Sequence, residues 1–226
     1  MGLLNNISFE FNPKIDHKQN LEKLVSDSYQ KTIKFFDKAK FKIEIKFVYK
    51  RSQMDDLCGF RTPKWHVGFA RKNQIFIFSP SVFEKVSNHP KSDFNYTLTH
   101  EIAHLFINEL LKINYPKWLN EGLAGYVAEQ YKIRKVGKIN KFSELHDKKG
   151  WNKFNNYPQA YSFTKYLIDK FGKEKILEFT KNLSLKIGSN QYFKDFKKFF
   201  NEFLKTDFDK EVLDWVENIQ IKKLAS

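Results

Sequence analysis

Two histidines stand four residues apart, with a glutamate beside the first, in the segment His100-Glu101-Ile102-Ala103-His104. On a helix, side chains four residues apart lie on the same face, so the two imidazoles can bind one metal ion. Glu101 lies about 100° round the helix from His100, close to such an ion without having to ligate it. That place suits a general base that takes a proton from a metal-bound water. The pattern therefore predicts a hydrolytic metal centre.

A zinc site for hydrolysis needs a third protein ligand and one open position. Glu121 is the next suitable residue, because it follows His104 after a turn marked by Pro116 and begins another predicted helix. Such a helical hairpin can bring the carboxylate back to the histidines, and two His with one Glu are a known catalytic zinc set. The alternative is a first-turn glutamate stabilised by the helix dipole. The neighbouring Gly122 and Ala124 favour close helix packing beyond that role.

The two segments HEIAH (100–104) and WLNEGLA (118–124) together resemble the gluzincin metallopeptidases, in particular the M1 aminopeptidase-like peptidase MA group. The resemblance implies that His100, His104 and Glu121 bind one Zn²⁺ ion and that Glu101 is the catalytic base. It also implies a peptide or protein substrate. The sixteen residues between His104 and Glu121 are fewer than in the usual M1 spacing, which favours the shorter members of the group.

A less specific likeness lies in the segment 157–167, which resembles a tyrosine-containing helix of the same group. The resemblance implies that Tyr157 donates a hydrogen bond to the oxyanion of the tetrahedral intermediate, with Tyr161, one turn later, as the alternative. Tyr161, Phe163 and Tyr166 are also spaced as packing residues, so a core aromatic role remains open.

Two features separate the chain from the M1 aminopeptidases. Residues 60–99 contain no G-x-M-E-N string, which in those enzymes holds the substrate amino group, so an endopeptidase is expected rather than an aminopeptidase. Gly125 stands where many relatives carry a polar or acidic residue, and this keeps a catalytically degenerate relative as an alternative. The strand predicted at 74–79 takes the place of the edge strand that pairs with extended substrates in such enzymes.

The chain is strongly basic, with 40 Lys and Arg against 26 Asp and Glu and a net charge of +14. Only four of the cations are arginines, and the lysines are scattered, which is typical of a solvated surface. Attraction to phosphate or acidic partners is the other interpretation. A nucleic-acid-associated protein, or a protease acting on DNA-bound proteins, is therefore the alternative function. The aromatic stripe within 192–203 has the spacing of a core helix rather than of a stacking surface.

The single cysteine, Cys58, excludes an intramolecular disulfide framework, and its use as a latent fourth metal ligand is a hypothesis. No run of eighteen apolar residues is present, and the first residues lack the pattern of a signal peptide. We therefore expect a cytoplasmic protein without a membrane segment.

The elements that must position these residues follow from the apolar periodicity. Strands are predicted at 41–49 and 74–79; residues 51–73 are predicted to be loop that could contain a short strand, and residues 132–155 to be loop. Helices are predicted at 16–38, 94–111, 118–131, 157–171, 173–185 and 190–204, with a last helix after Thr206. This order predicts an α+β fold with a small mixed sheet and a gluzincin-like active-site helix. Residues 1–131 form the predicted catalytic lobe, and residues 132–226 form an all-α lobe that completes the cleft.

Overall fold

The computed structural model describes residues 6–37, 42–113, 115–154, 156–187 and 192–224. It has a mixed α+β fold with a small four-stranded sheet and many helices, as the sequence predicts. The chain forms two compact units, Met1–Phe106 and Ile107–Ser226. This division comes before the predicted boundary at 131/132, because the helix that carries Glu121 packs with helices that follow it. The prediction that residues 1–131 form the catalytic lobe and that residues 132–226 complete its cleft stays a prediction.

The sheet belongs to the first unit and has the strand order β1-β2-β4-β3. Its strands are β1 (Ile7–Glu10), β2 (Ile43–Val48), β3 (Gly68–Arg71) and β4 (Gln74–Phe78). β1 and β4 both pair with β2 in parallel, with Ile7 opposite Ile43 and Ile45 opposite Ile75. β3 pairs antiparallel with β4 at the edge. The prediction that the strand 74–79 is an edge strand is therefore wrong, because β4 lies between β2 and β3.

The helices of the first unit are α1 (Lys18–Phe36), α2 (Arg51–Cys58), α3 (Phe83–Val86) and α4 (Phe94–Phe106). The periodicity of 16–38 correctly predicted α1, whereas α2 lies in a segment predicted to be loop. α4 packs against α1, β3 and β4, and all but three of its thirteen residues are buried. Residues 38 and 41, at the ends of two predicted elements, lie outside the described part of the chain.

A buried carboxylate ties the segment after β1 to the carboxyl ends of two other strands. Asp16, 5% exposed, accepts hydrogen bonds from the hydroxyls of Tyr49 (2.7 Å), Ser79 (2.7 Å) and Ser81 (2.5 Å). The Tyr49 hydroxyl in turn accepts a bond from the backbone amide of Asn12. Burial raises the pKa of Tyr49 to about 12, so this phenol remains a donor throughout the neutral range.

The second unit is helical. After a π-helical segment, Ile107–Leu111, come α5 (Lys117–Val127), α6 (Lys148–Phe154), α7 (Tyr157–Phe171), α8 (Lys173–Ile187), α9 (Phe193–Leu204) and α10 (Phe208–Leu224). α6 lies in the segment predicted to be loop, and residues 190 and 191 of the helix predicted at 190–204 lie outside the described residues. The core role of the aromatic stripe is confirmed for Phe196, Phe199 and Phe200, which are buried, but not for Tyr192, which is 74% exposed.

Trp118 of α5 is at the centre of the aromatic core of the second unit and is fully buried. Its ring contacts four phenylalanines, Phe142, Phe163, Phe196 and Phe208, with centroid distances of 5.0 to 6.2 Å. Burial of an aromatic ring of this size contributes on the order of 3 kcal/mol or more to folding. α5 is therefore anchored at its first turn.

A polar network joins α7 to α10 within the same unit. Glu211 is 1% exposed and accepts hydrogen bonds from Lys170 (2.6 Å), Tyr166 (2.8 Å) and Thr206 (2.6 Å). Burial alone would raise the pKa of Glu211, but these donors outweigh it and lower the pKa. Lys170 also lies 3.3 Å from Asp214, so its ammonium group has two carboxylate partners.

Candidate metal centre

The paired histidines lie one turn apart on α4, as their spacing predicts. The ring centroids of His100 and His104 are 4.5 Å apart in an edge-to-face arrangement, and their Nε2 atoms are 2.9 Å apart. His100 is 6% exposed and Glu101 is 8% exposed, whereas His104 is half-buried. His100 and Glu101 are thus almost withdrawn from solvent, and His104 keeps a partly exposed side chain.

The geometry of the two rings fits a shared cation. Two imidazole nitrogens bound tetrahedrally to one zinc ion at 2.0–2.1 Å would be about 3.3 Å apart. The observed Nε2 to Nε2 distance of 2.9 Å is close to that value. At this distance the two Nε2 atoms cannot carry protons at the same time, because the two N–H groups would point at each other.

Glu121 completes the group. One ligand atom from each of His100, His104 and Glu121 lies within 4.8 Å of the other two. Within the part of the chain that the structure describes, this is the one group of three or more metal-binding side chains found so close together. The three residues could therefore hold a metal ion.

The first turn of α5 explains how Glu121 is held. The backbone amides of Lys117 and Trp118 donate to the carbonyl oxygens of His146 (2.8 Å) and Leu145 (3.3 Å), which satisfies two amides that have no partner within the helix. The side-chain amide of the next polar residue, Asn120, donates to the carbonyl oxygen of Ile113 at 2.7 Å. Glu121 is itself only 8% exposed.

Two glycines allow α5 and α7 to approach closely, which confirms the close packing predicted from the small residues beside Glu121. A Cβ atom on Gly122 would lie 2.0 Å from the hydroxyl of Thr164 and 2.8 Å from the carbonyl oxygen of Ala160. A Cβ atom on Gly125 would lie 2.0 Å from the ring of Tyr161. Any larger side chain at either position would push the helices apart.

The two tyrosines considered for the oxyanion differ in their surroundings. Tyr161 is 4% exposed, and its ring packs on Gly125, one turn after Glu121 on α5. Tyr157 is half-buried, and its ring is nearly perpendicular to that of Trp151 at a centroid distance of 5.0 Å. The packing role expected for Tyr161 is confirmed. The oxyanion role of Tyr157 remains a prediction.

Cys58 lies beside a different histidine. Its sulfur atom is 3.7 Å from Nε2 of His66, and Cys58 is not part of the group formed by His100, His104 and Glu121. Burial raises the pKa of the Cys58 thiol and lowers that of the His66 imidazole. Both side chains are therefore held in their neutral forms.

Asn120, which precedes Glu121 in the chain, was not predicted to be a functional residue. This residue is 3% exposed, and a buried amide between the apolar Leu119 and the candidate ligand Glu121 must have a hydrogen-bond partner. The sequence shows the polar residue between Leu119 and Glu121, but it does not show the hydrogen-bond partner, because the acceptor is the backbone carbonyl of Ile113 in a loop.

Comparison of the chain with family models, with curated proteins and with solved structures finds no match. Among the described residues, no helix combines the length and the apolar character needed to cross a bilayer.

Proposed function

We propose that this chain is a zinc-dependent peptidase of the gluzincin type, an endopeptidase rather than an aminopeptidase. The observation that carries the proposal is the compact group of His100, His104 and Glu121, with Glu101 buried on the same helix as the histidines. The likeness of HEIAH and WLNEGLA to the gluzincins supports it from the sequence. The absence of a G-x-M-E-N string in residues 60–99 supports the choice of endopeptidase.

The residues of the group fit the ion that the resemblance implies. Neutral imidazoles and a carboxylate are the ligands of one common class of catalytic zinc site, and the short Nε2 to Nε2 distance is consistent with a shared cation. When bound by these three residues, Zn²⁺ would act as a Lewis acid and lower the pKa of a bound water to about 7.

The protein side chains have separate tasks in this proposal. The Glu101 carboxylate accepts a proton from the attacking water and later donates it to the nitrogen of the leaving amine. The Tyr157 hydroxyl, or that of Tyr161, donates a hydrogen bond to the oxygen of the scissile carbonyl as its negative charge develops. The burial of Glu101 keeps competing water away from the proton that it carries.

The substitution Glu101→Gln tests the proposal. Glutamine keeps the shape of the side chain but cannot take a proton, so turnover should fall by about 10²–10⁴-fold while metal content stays near one ion per chain. Elemental analysis measures the metal, and digestion of an unbiased peptide library measures cleavage. Glu109→Gln, an exposed position on the following π-helical segment, is the matched control. A Glu101→Gln variant that cleaves peptides as fast as the parent would contradict the proposed base.

The alternative function, a nucleic-acid-associated protein, has the net charge of +14 in its support. The aromatic stripe of α9 gives it no further support, because its central phenylalanines are buried in the core. A DNA affinity that falls steeply with salt concentration, in a chain that cleaves no peptide, would favour this alternative.

A further inference from the structure

The segment that links α4 to α5, residues 107–116, is called the spacer here, and it contains a strained residue, Lys112. The amide of Lys112 donates to the carbonyl oxygen of Ile107 at 3.0 Å, which closes the π-helical segment. Lys112 then turns the chain with a φ of +51°, in the left-handed region that residues with a side chain rarely adopt. Such a conformation persists only where neighbouring groups hold it in place.

Side chains from two helices hold the spacer at successive carbonyl groups. The Ser184 hydroxyl of α8 donates to the carbonyl oxygen of Lys112 at 2.8 Å, and the Asn120 amide of α5 donates to that of Ile113 at 2.7 Å. Ile113 and Asn120 are 1% and 3% exposed, so water cannot replace the second bond if it is lost. The first bond lies at the surface, where water can partly replace it.

The residues on either side of Glu121 are thus fixed to different neighbours. Asn120 binds the spacer, and Gly122 lies against Thr164 on α7. We infer that Asn120 is a positioning residue, which locks the spacer to α5 and so keeps Glu121 within the group formed with His100 and His104. This inference rests on the proposed function, because it assumes that the three side chains bind a metal ion. A metal site requires its ligands to be placed to within about half an ångström.

Loss of the Asn120 bond should lower metal affinity by lowering the fraction of molecules in which Glu121 is correctly placed. We expect Asn120→Ala in the full chain to bind zinc about tenfold more weakly, the lower end of the effect of residues that orient metal ligands. The dissociation constant is measured by competition with a chromogenic zinc chelator. Circular dichroism confirms that each variant is folded.

Gln159→Ala is the matched control. The Gln159 side chain is fully buried in the same unit and donates to the carbonyl oxygen of Asn140 at 2.8 Å. Its side-chain oxygen also accepts from the amide of Asn140 and from the side-chain amide of Asn156. The variant therefore loses more buried bonding than Asn120→Ala, but to a loop that is not the spacer, so its zinc affinity should stay within about twofold of the parent. A merely structural role for Asn120 would make the two variants behave alike.

Hydrogen exchange of the metal-free chain gives a second readout. The amides of the spacer should exchange faster in Asn120→Ala than in the parent, and should be unchanged in Gln159→Ala. If Asn120→Ala does not fold, Ser184→Ala removes the other side-chain bond to the spacer, the one at the surface. We expect this variant to bind zinc about threefold more weakly than the parent. Ser184→Thr, which keeps the hydroxyl, should restore the affinity.

The outcomes separate this inference from the proposed function. A parent chain that binds zinc, with Asn120→Ala and Ser184→Ala binding it equally well, overturns the positioning role alone. A parent chain that binds no zinc overturns the proposed function, and with it any metal-directed role of Asn120. Weaker binding in Asn120→Ala with unchanged binding in Gln159→Ala supports the inference.

Discussion

The close approach of α5 and α7 at Gly122 gives the sharpest test of how the candidate ligand Glu121 is held. A Cβ atom at position 122 would lie 2.0 Å from the Thr164 hydroxyl, whereas an ordinary contact begins at 3.4 Å. It would also lie 2.8 Å from the carbonyl oxygen of Ala160, which belongs to the backbone of α7 and cannot rotate away. Gly122→Ala must therefore separate the two helices.

The expected cost follows from two opposing effects. Overpacking of a core costs about 1–3 kcal/mol in free energy of unfolding. Because the Cβ atom would lie so much closer to Thr164 than an ordinary contact allows, we expect a cost at the upper end of that range. Alanine recovers about 1 kcal/mol through its higher helix propensity. The net loss in free energy of unfolding should be about 2 kcal/mol, measured by urea denaturation. Gly137→Ala is the control, because a Cβ atom there has no neighbour within 4 Å among the described residues and should change stability by less than about 0.5 kcal/mol.

A second substitution tests the cause. Among the described residues the buried Thr164 hydroxyl has no hydrogen-bond partner, so Thr164→Ala removes the nearer obstacle without breaking a bond. The double variant Gly122→Ala/Thr164→Ala should recover about 1 kcal/mol of the loss as a coupling energy, with the rest remaining because of the Ala160 carbonyl. A stable Gly122→Ala, or a double variant whose losses simply add, would refute the helix approach described above.

Two further predictions concern the polar networks of the two units. Glu211→Gln should lower the free energy of unfolding by about 2 kcal/mol at neutral pH, less than for a fully buried pair because Lys170 keeps Asp214 as a partner. Because the pKa of Glu211 is lowered in the folded chain, this stabilisation is present above pH 4.5 and is lost as the pH falls further, so parent and variant should converge in acid urea titrations. Since burial raises the pKa of Tyr49 to about 12, subtracting the ultraviolet titration of Tyr49→Phe from that of the parent should leave one phenol that titrates near pH 12. The stability that Tyr49 provides through Asp16 is present below pH 10 and should disappear as the pH rises towards 12, and a phenol that titrates near pH 10 would contradict the burial described.

Much of the fold could be predicted because its elements carry strong local patterns. The helix at 157–171 was predicted to the residue, and the alternation of 41–49 correctly indicated β2. β1 was missed, because a strand of four residues carries too little periodicity to distinguish it from a loop. α2 was missed because a polar helix with one buried residue lacks an apolar stripe.

The place of β4 in the sheet could not be predicted from its own residues. Its four buried positions fit an inner strand, but the neighbour that covers it, β3, has no buried residue, and its segment indicated a short strand only as an option within a loop. Parallel pairing joins residues as far apart as Ile7 and Ile43. The free energy that selects such a partner comes from long-range packing after loop closure, which no local pattern records.

The sequence by itself determined the geometry of His100, Glu101 and His104, because the helical repeat fixes the relation of residues four apart as soon as the helix forms. Only the tertiary structure decided that the Glu121 carboxylate joins the two imidazoles and that Cys58 does not. The physical reason is that the place of Glu121 depends on a strained spacer, a buried amide and a glycine contact between helices. The Asn120 bond is short-range, reaching back seven residues to Ile113, but the bond from Ser184 to the spacer and the contact of Gly122 with Thr164 join segments distant in the chain, which no local pattern records.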